Sequence, residues 1–330
     1  MTPVGRIRRK LGLLALAGVS ALALGISPNN SHAQEFPRGP IQVYLGFPAG
    51  TYLDIVTRFY TDRIAAKAGQ PVIVDNRVGA GGMLAMGAAA KSKPDGQSLV
   101  FGPGLSASKV QFKSLPFDPV NDFIRVGTIV AFPFVLVVNP EKTDVKSVAE
   151  LTAFLKSKGK QASFGSPNTL SLVAGALYAT GVGLEPVSVP YRSAADAIRD
   201  LTAGEFPFMF SDSGFAFAQM KQGKLRGLAV TLPKRTPNAP DLPTMIEAGL
   251  PNFDFHGWMG VYAPAGTPKP VIDKLSGWVD EVARAEETAK FLSTLGADPF
   301  PLNSEQFTKF EADEFKAWEE RAKIAKIEPQ

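Results

Sequence analysis

Short β-rich runs, each closed by a glycine- or proline-bearing turn and most followed by a helical stretch, recur along this chain. Ile41 to Phe47 leads through "PAGT" into a helical pattern at Tyr52 to Ala68. Pro71 to Val74 precedes one at Met83 to Lys91, and Ser98 to Phe101 adds a third β-rich run. A strand face and a helix stripe must each be buried against another element, so steady alternation of the two predicts α/β layers. The pattern restarts at "QASFGSPNTLSLVAGALYATG", residues 161–181. It continues through βα units at Val187 to Ala203 and Phe206 to Gln222 to a strand at Leu225 to Thr231. No fixed period relates the units, so they are not solenoid repeats.

Two longer apolar segments stand out. "FPFVLVVNP", 132–140, is a continuous run suited to a fully buried strand, and "FHGWMGVYAPAGTP" holds a strand that stops at Pro264. They are expected to cross between two domains, near Val135 and Val261, and to form a hinge. The expected division is 34–137 together with 260–330 as one domain and 138–259 as the other. The end of the chain reads as helical. Val271, Leu275, Trp278 and Val282 share one face, and a further helix opens at Ser304 as N-cap and buries Phe307, Phe310 and Trp318. A cleft between hinged domains is a usual place for a small ligand.

Residues 1–33 are expected to be a secretory leader. Arg6, Arg8, Arg9 and Lys10 precede the apolar run Leu11 to Ile26, and Ser31-His32-Ala33 offers small residues before a cut near Ala33. The leader changes the charge balance. The chain has 35 Lys+Arg and 31 Asp+Glu, and four of the basic residues lie in the leader, leaving 31 of each sign in about 297 residues. A formally neutral mature chain gives no case for nucleic acid or an anionic membrane surface as partner. No other apolar run reaches the ~18 residues needed to span a bilayer, and two domains suit the remaining length. The expectation is an exported, periplasmic, monomeric globule that holds any anion by local groups.

Those local groups are expected at helix starts. Phe47 to Thr51 joins a strand to a helix without a charged residue. Thr51 with Asp54 fits a capping pattern, and Gly50 lets the backbone approach a ligand. Unsatisfied first-turn N–H groups there attract a carboxylate. A second helix start gathers Ser166, Asn168, Thr169 and Ser171. If the domains face each other, two helix N-termini converge, each contributing roughly 0.3–1 kcal/mol toward an anion. Tyr191 and Ser193 at a third helix start would pack on the ligand and donate to it, while Arg192 either meets the anion or faces solvent. Asp212, in "MFSDSG", is either a ligand contact or a turn former.

Catalytic groups are few. The mature chain has no Cys and one histidine, His256, which reads as a packed strand-end residue. No Gly-x-Ser-x-Gly elbow and no calcium-loop spacing occurs. "NRVGAGGMLAMG", 76–87, has Leu84 where a dinucleotide fingerprint needs its third glycine. No catalytic residue, metal or cofactor is expected.

At these residues the chain resembles the Bug-type substrate-binding receptors of tripartite tricarboxylate transporters. The resemblance rests on "FPAG…D" at Phe47 to Asp54, "GQPVIVDNRVGAGG", "KPDGQSL", "LPFDPVNDF", "VPYRSAADAIRDLTAGE", "APDLPTMIEAGLPNF" and "GWMGVYAPAGTP", in order over nearly all of the mature chain. It implies a two-domain, type II periplasmic-binding-protein fold of the Venus-flytrap kind with two hinge-crossing strands. It also implies a small carboxylate as ligand, held by the loops matching Ala49 to Asp54 and Ser166 to Ser171, and a tripartite membrane permease as partner. Three departures stand out: Thr51-Tyr52-Leu53 replaces a Gly-x-Thr type sequence, Leu170-Ser171-Leu172-Val173 replaces a polar one, and Met83 stands where Asn is common. Each exchanges polar groups for apolar bulk, with Tyr52, Met83 and Tyr191 as walls, so the expected ligand is a carboxylate with an apolar or aromatic body. Two rival readings are a sensory partner of a membrane kinase and an exported hydrolase pairing a serine with His256.

Overall fold

The structure, a computed structural model, describes residues 36–191 and 193–329. The expected leader and Arg192 lie outside the described residues. The chain opens with strand β1 (Ile41–Leu45), helix α1 (Tyr52–Ala68), β2 (Val72–Asn76), α2 (Met83–Ala90), β3 (Ser98–Pro103) and the short α3 (Ser108–Gln111). β1 lies between β2 and β3, parallel to both. Its alternating residues Ile41, Val43 and Leu45 are wholly buried, the period expected of a strand with one face on the core. Onto that face α1 packs Val56, Tyr60 and Ile64.

The long β4 (Phe123–Val138) follows, then α4 (Val148–Lys158), β5 (Ser163–Ser166), α5 (Thr169–Gly181), β6 (Val187–Pro190), α6 (Ala194–Ala203), β7 (Phe208–Asp212), α7 (Ser213–Lys221) and β8 (Arg226–Val230). β5 runs parallel to β6 and β7, and β7 and β8 pair antiparallel to β4. The chain returns through β9 (His256–Pro264), α8 (Lys269–Arg284), α9 (Glu286–Thr294), β10 (Asp298–Pro299) and α10 (Ser304–Ile324). The α/β alternation is as expected. Four of the helices carry a side-chain cap at Ser147, Asn168, Ser193 or Asp212, each contributing about 1 kcal/mol. For α10 the cap is Asn303, in a capping box with Gln306, not Ser304 as expected. Ser304 donates instead to the Arg125 carbonyl.

One strand joins the two halves. β4 pairs with β9 up to Pro133 and with β7 and β8 from Phe134 onward. The return passage falls between Phe255, whose N–H bonds to Thr231 in the second half, and His256, which pairs with Pro133. Both passages lie four residues ahead of the limits read from the sequence, and Val261 sits inside the first sheet, between β3 and β4. β4 also starts nine residues before the apolar run at Phe132. Arg125, Gly127 and Thr128 broke the hydrophobic pattern there. Arg125 is nevertheless buried, paired with Glu311 of α10 at 2.7 Å.

α10 belongs to both halves. Phe307 is wholly buried among Trp258 and Tyr262, whereas Trp318 sits in the core of the second half and meets the Phe255 ring edge-on. α8 packs Ile272, Leu275 and Val279 in the core of the first half, whereas the end of α10 lies in that of the second.

Candidate functional site

Ends of parallel strands from both halves face one another across Phe132, the residue just before β4 changes sheets. A hollow of about 280 Å³ lies there. The loops after β1, β3 and β5, the start of α2 and the start of β9 surround it. Carboxyl ends of parallel strands are where open α/β sheets take ligands. No Lys, Arg, Asp or Glu lines the hollow; its apolar walls include Phe47, Met83, Leu170, Trp258 and Trp318.

The glycine-rich stretch after β2 brings one wall into place. A Cβ on Gly46 would sit 2.2 Å from the Gly82 Cα, so the end of β1 and the start of α2 meet backbone to backbone. Gly82 has φ of +97°, which glycine adopts without strain. The stretch is a close-approach device that sets Met83 beside Phe47. On the opposite side Gly104 leaves room for the Trp258 indole, 2.2 Å from where a Cβ would stand.

Two polar side chains on this wall lack partners. Ser106 is 1% exposed and its Oγ makes no hydrogen bond; the buried His256 Nε2 makes none either. His256 Nδ1 lies 3.2 Å from Asp254 Oδ1. Buried polar atoms are almost always paired, and leaving one unpaired costs about 1–3 kcal/mol. Two on one wall mark a place prepared for a polar partner. Sequence reading passed over Ser106, in the unpatterned "PGLSAS", and took His256 for packing. The start of α5 adds Asn168 and Thr169. Asn168 caps the helix by accepting from the Ser171 N–H at 2.8 Å, and the first N–H groups of any helix have no partner within it.

Of the residues expected at the ligand, Phe47, Met83, Asn168 and Thr169 line this hollow. The rest of the α1 loop, from Pro48 to Asp54, does not, and its polar groups are engaged with one another. Asp54 is 2% exposed and accepts from the Gly50 N–H and from Asn76 Nδ2, both at 2.9 Å, and from Arg58 Nε at 2.9 Å. Burial pushes its carboxyl up, but the bonds from Arg58, Asn76 and Gly50 outweigh that and hold it below the usual range. The Thr51 hydroxyl donates to the Pro48 carbonyl and does not cap α1. Ala49 and Gly50 are exposed. The helix starts that line this hollow are those of α2 and α5.

The remaining candidates lie away from this hollow. Ser166 Oγ bonds to Ser188 Oγ at 2.7 Å. Ser193 accepts from the Asp196 N–H and donates to its carboxylate, as a cap. Tyr191 packs on Phe206 in the core under α6. Ser171 Oγ is buried without a partner on the first turn of α5. Tyr52 and Asp212 line a separate, larger hollow of about 670 Å³ that shares the Phe132 wall. Among the described residues no group of three or more His, Asp or Glu is placed to hold a metal, and no helix is long and apolar enough to cross a membrane.

A two-sheet α/β protein with a strand-end hollow between its halves has the architecture of the periplasmic binding proteins. The sequence profile described as tripartite tricarboxylate transporter family receptor matches residues 56–327, and the chain belongs to that family. Receptors of this family work in the periplasm. Protein BugT of Bordetella pertussis is 30% identical over 312 residues, covering 93% of this chain and 95% of its own length. A protein from the tcbD–tcbE intergenic region of Pseudomonas sp. strain P51 is 31% identical over 285 residues, 84% of each chain. Among solved structures, Rpa4515 of R. palustris with adipate matches at a TM-score of 0.77 and 28% identity over 90% of this chain and all of that one. The periplasmic binding protein BugD matches at 0.72 and 28% identity, covering 89% and 100%. MatC from Rhodopseudomonas palustris with bound malate matches at 0.69 and 27%, covering 87% and 99%.

Proposed function

We propose that the protein is a non-enzymatic periplasmic receptor. It takes one small organic carboxylate into the 280 Å³ hollow, closes on it and delivers it to the membrane subunits of a tripartite permease. It acts as a monomer, exported by a leader cut near Ala33. The observation that supports this most is the pair of unpartnered buried groups, Ser106 Oγ and His256 Nε2, on the wall of an otherwise apolar hollow at the strand ends. The Ser106 hydroxyl and the first amides of α5 supply donors to a carboxylate, each bond to a charged group contributing about 1.5–3 kcal/mol, while His256 Nε2, whose ring proton faces Asp254 from Nδ1, is an acceptor for a bridging water. Three or four of them reach the ~8 kcal/mol of a micromolar ligand without any Lys or Arg.

The walls favour an apolar or aromatic body. Against Phe47, Met83, Leu170 and Trp258, a ligand hydroxyl loses its water and gains no partner, at about 1–3 kcal/mol. Adipate-like and aryl carboxylates are therefore favoured over hydroxy acids such as malate. Turnover is not part of the reading: Ser106 and His256 make no hydrogen bond to each other, so no base holds the proton of a nucleophile.

A calorimetric and thermal-shift panel of aliphatic, aryl and hydroxy carboxylates tests the proposal. Micromolar binding of aryl or aliphatic acids, at least tenfold tighter than malate, with their methyl esters left intact, is the expected result. No binding of any carboxylate would overturn it.

A further inference from the structure

The larger hollow has a chemistry of its own. It lies on the far side of the contact between the Phe132 and Tyr52 rings, whose centroids are 5.8 Å apart edge to face. Leu53, Phe215, Phe217 and Leu295 give it apolar walls, and Asp212 stands among them. One carboxylate oxygen of Asp212 accepts the Phe215 N–H at 3.0 Å and so caps α7. The Asp212 carboxylate has no ion-pair partner among the described residues, and apart from the Phe215 N–H and its own amide no group of those residues donates to it. The Tyr52 hydroxyl is buried and also unpartnered. A phenol and a carboxylate thus line one hollow, the phenol without any partner and the carboxylate without a cation, and offer a donor and an acceptor to a guest. Asp298, held by burial above its ordinary range, is near enough to add its negative charge at the Tyr52 hydroxyl. The lysine of this hollow, Lys221, lies nine residues along α7 from Asp212, about 13 Å at the helical rise. The acid end is thus negative, apolar-walled and distant from any cation of the hollow.

We propose that this hollow is a second binding compartment, for an apolar or aryl-sized primary ammonium whose charged end meets the Asp212 carboxylate and the Tyr52 hydroxyl. Phe132 and Phe215 offer ring faces to the neighbouring methylene, polarised by the charge. Anions are excluded by Asp212 and Asp298. The compartment does not depend on where a carboxylate binds, because the two hollows share only Phe132.

Benzylammonium is the probe, with benzyl alcohol as its neutral counterpart, titrated calorimetrically into the full mature chain. Asp212→Asn keeps a good cap for α7 and removes the charge; Tyr52→Phe removes the hydroxyl and keeps the ring. Melting curves of both variants confirm that they fold, and Tyr52→Phe is expected to melt higher than the parent in the absence of probe. The expected result is benzylammonium bound at least tenfold tighter than benzyl alcohol, an affinity at least tenfold lower in Asp212→Asn, and a severalfold loss in Tyr52→Phe. Equal binding of amine and alcohol, unchanged amine affinity in Asp212→Asn, or no binding of the amine would each overturn the proposal.

Discussion

Ser106 and His256 show a residue-scale conflict between stability and binding. Each has a buried polar atom without a partner, a state that costs the unliganded protein free energy and that the proposed guest would relieve. Ser106→Ala removes the orphan without opening a hole larger than one oxygen. The expected outcome is a gain of about 1 kcal/mol in unfolding free energy, read by urea titration, together with at least a tenfold loss of carboxylate affinity read by calorimetry. A structural serine would lose stability on the same change. Ser106 did not announce itself in the sequence, because it stands in a loop without period, and His256 reads as packing because its surroundings come from segments far along the chain. The helix caps lay within reach of the sequence, since a cap and its amide are three residues apart. Sequence reading nevertheless makes Ser193 a ligand donor, although it caps α6 through the Asp196 N–H, and gives Ser304 the cap that Asn303 supplies. Thr51 misled for a related reason. Its capping pattern is real in spacing, but the acid reaches back to the Gly50 amide and the hydroxyl turns to Pro48.

At the scale of elements, strands and helices follow closely from hydrophobic period and turn chemistry. α1 runs from Tyr52 to Ala68 as expected, and Gly69 closes it at φ of +63°. What the pattern hid is the start of β4, where an arginine sits among apolar neighbours. Its partner Glu311 is wholly buried on α10. It accepts from Arg125 Nε at 2.7 Å, from the Tyr262 hydroxyl at 2.7 Å and from the Leu105 N–H at 2.8 Å. The last of these spans 206 residues of sequence, so no local reading could find it. Through it α10 fixes the loop that presents Ser106. Glu311→Ala strands a buried guanidinium and frees that loop, and is expected to cost about 3–5 kcal/mol in unfolding free energy by urea titration. Ligand affinity should fall with it, although Glu311 lines neither hollow.

For the whole molecule, two halves joined by one strand passing each way form a hinge with few covalent constraints, and a ligand shifts such a hinge only by favouring one of its positions. Small-angle scattering is expected to show a smaller radius of gyration with saturating carboxylate than without, and no change with an acid that does not bind. The two-domain plan was legible from the restart of the βα pattern and the two apolar runs. The limits were displaced because apolarity reports burial and is silent on which sheet a buried strand pairs with.

The last helix adds a restraint that the hinge strands do not supply. α10 is seated in the first half at Phe307 and in the second at Trp318, eleven residues or about 16 Å apart along its axis. Any swing of the halves must bow this rod or draw the Trp318 ring from its socket, and both motions are resisted elastically. Opening is thereby limited from behind, as a door is by a stay, and the indole that anchors the stay also walls the hollow proposed for the ligand.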